Sequence, residues 1–241
     1  NKEFSSFLNT DDFYLKQDLL WTKKLSNRKA LQVSFFHSFN NIPQTLIINP
    51  STFVEDALSD TQESKFKKTF LESKATYIVS GKRDKYTFDF GTNLNQSPFV
   101  SKLFNSLGII SENNFNYSQS NTFSNGVYNF NRGKWQISSS YSLRLINQNL
   151  EQNLTNQKES KKNFILEPAL HLKFKLNSDS FFSANLRYNQ NTNIEQYFFI
   201  NQVLINNRTT VSNLPSLELQ KVQSYSLLFF KNNLYKQFEI K

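Results

Sequence analysis

The stretch that decides the fold is residues 74–94, KATYIVSGKRDKYTFDFGTNL. Alternate residues of its two arms form one apolar set: Ala75, Tyr77, Val79, Tyr86, Phe88, Phe90 and Leu94. Side chains of a strand point to opposite faces with a period of two, so each arm is predicted to be a strand with one apolar face. The short polar segment GKRDK at 81–85 contains a glycine, as tight turns often do. The stretch therefore predicts a β-hairpin.

The same alternation recurs along the chain and predicts an antiparallel meander of about ten strands. The predicted strands are 12–23, 29–39, 74–80, 86–94, 115–130, 134–146, 163–176, 181–190, 221–231 and 237–241. Two positions break the pattern. Phe123 is out of phase with Tyr128, which predicts either a β-bulge or a misplaced strand boundary. Pro168 lies on an apolar face, and because proline donates no ladder hydrogen bond it predicts a bulge or a strand start.

The connections between the predicted strands alternate in length. Five short turns alternate with four long connections, at 40–71, 95–114, 147–162 and 191–220. Successive connections of a meander lie at opposite ends of the strands, so all the long ones are expected at one end. This asymmetry is typical of an outer-membrane β-barrel, whereas a β-sandwich has no need of it. Within the first long connection, residues 54–70 are expected to form a short surface helix.

Composition agrees with a barrel in lipid. Aromatic residues make up 15% of the 241 residues, yet the mean hydropathy is −0.56. Strands that are apolar outside and polar inside reconcile these two values. The chain has no cysteine, which excludes disulfides and thiolate metal sites, and no apolar run of the length that a transmembrane helix needs. The net charge of +9 is scattered rather than gathered in a stripe, which argues against nucleic-acid binding.

Three stretches resemble the β-barrel portion of Bacteroidetes-type TonB-dependent receptors. They are FNRGKWQISSSYSLRL at 130–145, FILEPALHLKFKLNSDSFFSANLRYNQ at 164–190 and NRTTVSNLPSLELQKVQSYSL at 207–227. Where the family commonly has Gly-Asn-Pro, this chain has Ser212-Asn213-Leu214-Pro215, so that loop is expected to differ. The resemblance implies nutrient import through the bacterial outer membrane. An inner-membrane energy-coupling protein would be a partner if a plug domain lies upstream.

The resemblance and the edge strands both bear on completeness. Family members carry a signal peptide, a plug and a barrel of about twenty-two strands. Residues 1–241 show about ten strands and neither a plug nor a signal segment. Open edges are not tolerated in lipid, so the whole chain is expected to be one section of a larger barrel. A closed ten-stranded barrel is the alternative.

Basic side chains on the polar faces are the candidate ligand-binding residues: Arg144, Arg187, His171 and Lys173. They would attract an anionic solute or pair with acids of a plug, but the same residues would also serve simply to keep a water-filled lumen hydrated. No Ser-His-Asp arrangement or metal-ligand spacing occurs, so no enzymatic activity, catalytic residue, metal or cofactor is predicted. Outward aromatic residues near the short turns predict an interfacial belt: Trp21, Tyr86, Trp135 and Phe182.

These observations favour a receptor or transporter barrel in the bacterial outer membrane. The alternative is a structural or scaffolding barrel that binds surface lipoproteins or other partners through its long loops. A soluble all-β carbohydrate-binding module is a third hypothesis. The expected partners are the lipid bilayer, surface lipoproteins and the energy-coupling protein, with no nucleic acid.

Overall fold

The computed structural model describes residues 4–50, 59–191, 201, 203–206, 209–211, 217–233 and 238–240. This part of the chain forms thirteen strands and no helix, so it contains no helix long and apolar enough to cross a membrane. The strands are β1 Phe4–Thr10, β2 Phe13–Ser26, β3 Lys29–Pro50, β4 Asp60–Ser80, β5 Asp84–Asn105, β6 Gly108–Arg132, β7 Trp135–Gln152, β8 Gln157–Lys175, β9 Ser180–Asn191, β10 Val203–Asn206, β11 Thr209–Val211, β12 Gln220–Asn233 and β13 Phe238–Ile240.

The main sheet is an antiparallel meander, as the alternation predicts. β1 and β2 both pair with β3, Thr10 opposite Gln44 and Phe13 opposite Asn41, so they form one interrupted edge strand. From β3 the order follows the chain through β9 and then continues to β12 and β13. β10 and β11 form a separate two-stranded sheet. With β1 and β2 counted as one, the main sheet has ten strand positions, and the predicted fold class is confirmed.

β3 and β5 are about twice as long as predicted, and β4 is about three times as long. β3, β4, β5 and β6 contain 22, 21, 22 and 25 residues, whereas crossing a bilayer takes about 9–11. The long connections predicted at 40–71, 95–114 and 147–162 are therefore wrong, because most of these residues are strand. Only 106–107 separate β5 from β6, and only 153–156 separate β7 from β8. The predicted helix is wrong over residues 60–70, which belong to β4, and its residues 54–58 lie outside the described part.

The long strands exchange polarity between their two faces near the middle. We call the face that carries Arg144 the inner face and the opposite one the outer face. On β7 the outer face is apolar as far as Leu145 and polar from Asn147 onward. The inner face is polar as far as Arg144, and beyond it Ile146 and Leu150 are buried. The pattern of a strand with an apolar outer face ends at this inversion. For this reason the sequence predicts loops where the second halves of the strands lie.

The inverted halves bury an apolar cluster on the inner face. It consists of Phe99, Phe115, Tyr117, Leu150, Val203 and Leu217, with the partly buried Phe66 packed against it. Val203 and Leu217 come from the connection between β9 and β12, so this connection returns over the inner face. The prediction of a long connection at 191–220 is therefore only partly right, because the segment contains β10 and β11 and contributes to the core.

A buried asparagine anchors the returning connection. The Nδ2 of Asn113 donates to the backbone oxygen of Asn201 at 3.2 Å, and its Oδ1 accepts from the backbone N–H of Asn201 at 3.0 Å. Asn113 is fully buried. The side-chain amide thus forms hydrogen bonds with both the backbone N–H and the backbone oxygen of Asn201, as the backbone of a neighbouring strand would.

An ion pair attaches the far end of the same connection. Glu218 contacts the ammonium of Lys161 on β8, and this hydrogen bond and charge lower the pKa of the Glu218 carboxyl. A lowered pKa means that the attachment is favourable above the ordinary glutamate pKa and is lost as the pH falls through the folded value. Hydrogen exchange of residues 217–220, corrected for intrinsic rates, should therefore rise by a small factor in acid. Glu218→Gln should abolish this pH dependence. If the variant kept the pH dependence of the unaltered chain, the Glu218–Lys161 ion pair would not be its cause.

The phase change in β6 has a different cause from a bulge, so the bulge prediction is wrong. β5 and β6 pair without a register shift from Leu103 opposite Ser111 to Asp84 opposite Phe130. Phe123 simply points inward and lies over Gly91, where a Cβ would meet its Cζ at 2.7 Å. A large ring therefore fills the space that the glycine leaves on the neighbouring strand.

Gly91→Ala is expected to destabilise the sheet by about 1–3 kcal/mol. The added Cβ would lie 2.5 Å from the backbone oxygen of Ser73, which cannot move without disturbing β4. Urea unfolding of the protein in detergent micelles measures the effect, with Ser138→Ala on the same face as a control. Equal stability of the two variants would contradict the tight packing of Phe123 on Gly91.

Candidate functional site on the inner face

All four candidate ligand-binding residues lie on the inner face, as their alternation predicts, but they do not form one cluster. Arg144 and Arg187 line the same polar cavity. His171 lines a different depression, beside the turn between β4 and β5. Lys173 lies two residues further along β8, opposite Gln136. The structure therefore separates the candidates into an arginine pair at a cavity and a His–Lys pair near the short turns.

The cavity that contains the two arginines is a wide, open depression of about 500 Å³ that spans six neighbouring strands, β4 to β9. Its charged lining consists of Glu72, Lys74, Asp89, Arg144, Glu167 and Arg187. Its asparagines are Asn93, Asn121, Asn125, Asn189 and Asn191. Phe123, which covers Gly91, is its one large apolar lining residue within the described part. Strand pairing brings these residues together although they are up to 119 positions apart, from Glu72 to Asn191.

Arg144 and Glu167 form the best-ordered contact of this cavity. Nη2 of Arg144 lies 2.8 Å from Oε1 of Glu167 and donates to the backbone oxygen of Gln190 at 2.7 Å. The backbone N–H of Gln190 donates to Oε1 of Glu167 at 2.6 Å. One ion pair thus satisfies both the donor and the acceptor of a residue near the end of β9. We call this arrangement the Arg144–Glu167–Gln190 clamp.

The clamp stands where β9 leaves β8. The two strands pair only from Ala169 opposite Arg187 to Lys175 opposite Phe181. Pro168, immediately before the first pair, is the point at which this pairing ends. β8 nevertheless pairs with β7 without a break from Gln157 to Phe174, so the expectation of a bulge or strand start at Pro168 is wrong. On the other side of Pro168, at Glu167, the contacts of the clamp connect β8 to β9 in place of ladder hydrogen bonds.

The His–Lys pair is engaged in local contacts. The ring Nδ1 of His171 hydrogen-bonds Oδ1 of Asn185 on β9. Nζ of Lys173 lies 3.8 Å from the ring centroid of Phe181, which stacks on Phe230 at 5.1 Å. This geometry is that of a cation–π contact within the sheet. Lys173 and His171 therefore support strand packing at the short-turn end, away from the cavity.

Sequence reasoning missed the acids and amides of the cavity. It singled out basic residues, whereas Glu72 and Asp89 contribute the acidic side and the asparagines most of the neutral lining. The available signal was parity, since Asp89 alternates with the apolar residues of the 74–94 hairpin. Assembly of the cavity, by contrast, depends on register between strands that are distant in sequence.

Aromatic side chains on the outer face pair across the strands near the short turns. Trp135 packs on Phe174 with centroids 4.6 Å apart, and Tyr86 stacks on Tyr128 at 4.7 Å. Phe182 packs on Phe229 at 4.8 Å. Trp21 is 53% exposed. These residues have the position that the predicted aromatic belt requires.

Solved structures share this sheet. The ferric citrate transporter FecA, in its unliganded form, matches with a TM-score of 0.58 and 10% sequence identity, over 93% of this chain and 33% of FecA. The fold is that of a section of an outer-membrane β-barrel. The ferric yersiniabactin uptake receptor FyuA from Yersinia pestis matches with a TM-score of 0.48 and 10% identity, over 86% of this chain and 34% of FyuA. No family model and no curated protein matches the chain in sequence.

The chain spans about a third of the length of FecA. The match to FecA supports the resemblance at the level of the barrel fold. The Bacteroidetes-type part of the resemblance stays a prediction.

Proposed function

We propose that this chain is an arc of an outer-membrane receptor barrel that admits a polar solute into a Gram-negative cell. The observation that carries the proposal is the polarity inversion along the strands. On β7 and β8 the outer face is mainly apolar over about ten residues from the short turns, and beyond them it is polar. An outer-membrane barrel has an apolar outer band of about 25 Å, which is close to the depth of this one.

The exposed side chains of this outer band need a lipid environment. Phe90, Leu145 and Phe164 are 64%, 59% and 66% exposed. Soluble proteins rarely present a contiguous apolar patch of this extent to water. In a bilayer, lipid acyl chains would cover these side chains and remove their apolar surface from water. The polar halves beyond the band would then stand in water on one side of the membrane.

The polar inner face is the wall along which a solute would pass. FecA is a ferric citrate transporter, and the sequence resemblance points to nutrient receptors as well. We therefore propose uptake powered through an inner-membrane energy-coupling protein, provided that the complete protein has a plug domain. The surface lipoproteins expected as partners would contact the polar ends of the long strands. The scaffolding alternative is weaker, because the tips of the β5–β6 and β7–β8 hairpins are short.

Single-cysteine labelling tests the membrane location, since the chain has no cysteine of its own. The reporters Phe90→Cys and Leu145→Cys lie in the apolar band, and Asn116→Cys and Asn149→Cys lie on the same face beyond it. In membranes that contain the complete protein, a charged maleimide should modify the asparagine positions at least tenfold faster. Equal labelling of all four positions would rule out a lipid-covered band.

Transport needs a separate measurement. Cells with and without the gene would be compared for depletion of polar solutes from a defined medium. Uptake should disappear in the deletion strain and after collapse of the inner-membrane proton gradient. Depletion that persists after the gradient is collapsed would contradict energy coupling, while leaving the location to the labelling experiment.

A further inference from the structure

The net positive charge of the chain is concentrated at one end of the strands, which we call the short-turn end. Its turns are residues 27–28, 81–83, 133–134 and 176–179, which join β2–β3, β4–β5, β6–β7 and β8–β9. Within four residues of these turns the basic side chains are Lys23, Lys24, Arg28, Lys29, Lys82, Arg83, Lys85, Arg132, Lys134, Lys173 and Lys175, and the acidic ones are Asp84 and Asp179. Eleven bases and two acids give +9, which equals the net charge of the whole chain. All the other charged residues of the chain therefore cancel.

The two hairpin turns that the structure fully describes at the opposite end show no excess of either sign. They are residues 106–107, between β5 and β6, and 153–156, between β7 and β8. Within four residues of them are two bases, Lys102 and Lys158, and two acids, Glu151 and Glu159. The turns of the short-turn end are more than 40 positions apart in the sequence, so their bases are scattered along the chain. Strand pairing brings them to one edge of the sheet.

Seven of the eleven bases lie in the turns or on the outer face. They are Lys23, Arg28, Lys29, Lys82, Arg83, Arg132 and Lys134, which we call the outer basic rim. Lys29 lies opposite Val79 of β4, and Arg132 lies opposite Trp135 of β7. All seven are exposed, and within the described part of the chain none of them forms an ion pair. The other four bases, Lys24, Lys85, Lys173 and Lys175, are on the inner face.

The outer basic rim borders the apolar band directly. Tyr86 and Trp135, two of the aromatic residues at this edge of the band, come within three residues of the turns 81–83 and 133–134. Lysine and arginine can lay their methylene groups along apolar surface and keep the charged group in a polar layer. In a bilayer that covers the band, these seven charges would therefore lie at the level of the lipid headgroups. The short turns of outer-membrane barrels face the periplasm, so this is the periplasmic leaflet.

The shape of the rim favours lipid over protein as its occupant. The rim follows the edge of the sheet from β2 to β7, a row about 24 Å long at ordinary strand spacing. A stable protein interface has a well-packed apolar or aromatic centre. The three turns offer none, because they consist of Asn27, Arg28, Gly81, Lys82, Arg83, Gly133 and Lys134. The headgroups of separate lipid molecules, by contrast, can each contact one turn.

We propose that the outer basic rim binds the phosphate groups of anionic phospholipids, such as phosphatidylglycerol, in the leaflet at the short-turn end. Each turn has an arginine and a neighbouring lysine for one phosphate, as Lys82 and Arg83 illustrate. The guanidinium donates two parallel hydrogen bonds to phosphate oxygens, and the ammonium adds a second charge. Zwitterionic lipids are bound less well, because their own cationic group is repelled. This inference rests on the membrane location in the proposed function and adds the class of lipid.

Spin-labelled lipids test the proposal on the complete protein in phosphatidylcholine vesicles. A trace of spin-labelled phosphatidylglycerol or phosphatidylcholine is added, and electron spin resonance gives the fraction of each lipid held at the protein surface. Phosphatidylglycerol should associate at least about twofold more strongly at low salt, because anionic lipids attract lysine and arginine at the membrane surface. In about 1 M salt the ratio should approach one, since the charges are screened. Equal association at low salt would overturn the proposal.

Two matched variants assign the preference to the outer basic rim. The outer variant combines Arg28→Gln, Lys82→Gln, Arg132→Gln and Lys134→Gln. The inner variant combines Lys24→Gln, Lys85→Gln, Lys173→Gln and Lys175→Gln, which removes the same charge from the same end of the strands but from the opposite face. The outer variant should lose at least half of the excess association of phosphatidylglycerol, and the inner variant should retain it. Equal losses in both variants would exclude direct binding by the rim.

The remaining outcomes separate this proposal from its competitor and from the receptor proposal. An acidic protein is the competing occupant. If the protein showed no lipid preference but retained an acidic partner that the outer variant lost, the rim would be a protein interface and the proposal would be wrong. The cysteine reporters at Phe90 and Asn116 measure the membrane location whatever the headgroup charge, and they verify that each variant is inserted. A correct labelling pattern with equal lipid association would reject the headgroup proposal alone.

Discussion

Lysine at Phe88 or Leu172 is expected to impair insertion into the membrane, at a cost of about 2–4 kcal/mol near the bilayer midplane. Both side chains lie on the outer face, where Phe88 is 44% exposed and pairs with Tyr77 and Gly126. In lipid a lysine at these positions would have no water and no acidic partner within reach of its ammonium. Folding of the complete protein into vesicles, followed by urea unfolding, measures the cost.

The matched controls are lysine at Thr87 and Ser138, which lie on the inner face of the same hairpins. Thr87 precedes Phe88 on β5, and Ser138 pairs with His171 beside Leu172. Both controls should insert nearly as well as the unaltered chain, because their side chains would face the hydrated interior. If all four variants were tolerated equally, the assignment of the two faces would be wrong.

Arg144→Ala is the second substitution with a large expected effect, roughly 3 kcal/mol of stability. It leaves the Glu167 carboxylate without its cation and the backbone oxygen of Gln190 without its donor. Both side chains of the pair are well covered, with 23% and 14% exposure, so water only partly replaces the lost contacts. Urea unfolding measures the loss of stability. Hydrogen exchange at the amide of Gln190 should become faster, because this end of β9 is no longer held to Glu167 of β8.

A double-mutant cycle separates the clamp from general destabilisation. Glu167→Gln removes the charge but retains an oxygen for the N–H of Gln190. Because the two side chains share one contact, the double variant should be less destabilised than the sum of the single variants, by about 1 kcal/mol or more. Additive losses would mean that Arg144 and Glu167 act independently and that no clamp exists.

Much of the outer band could be predicted from the sequence. The alternation in 134–146 places Trp135, Ile137 and Tyr141 on one face, and the structure places them on the outer face of β7. The short turns predicted near 24–28, 81–85, 131–133 and 177–180 are at the correct positions for the same reason, since the apolar alternation stops at each of them. Most of the turn predicted at 232–236 lies outside the described residues. Local period-two patterns are sufficient here because lipid favours apolar residues at most outward positions of the band.

Most errors in the predicted strand boundaries have one physical cause. In residues 40–50, 95–105 and 147–152 the buried apolar side chains are on the inner face, so the pattern of an outward apolar strand is absent; they include Ile48, Phe99, Leu103 and Leu150. These segments are strand because neighbouring strands pair with them and because the connection after β9 covers their inner face. Neither condition can be seen in a single segment. The misread Phe123 belongs here too, since its inward position depends on Gly91 of another strand.

The sequence by itself determined that the chain forms antiparallel strands with an apolar outer band, because alternation is a local property of each strand. Tertiary structure alone decided the length of the strands, the inward course of the β9–β12 connection and the divergence of β9 from β8 after Pro168. It also decided the composition of the cavity, which Glu72, Asn121 and Arg187 line from different strands. These features depend on the register between strands, and register is set by pairing over the whole sheet.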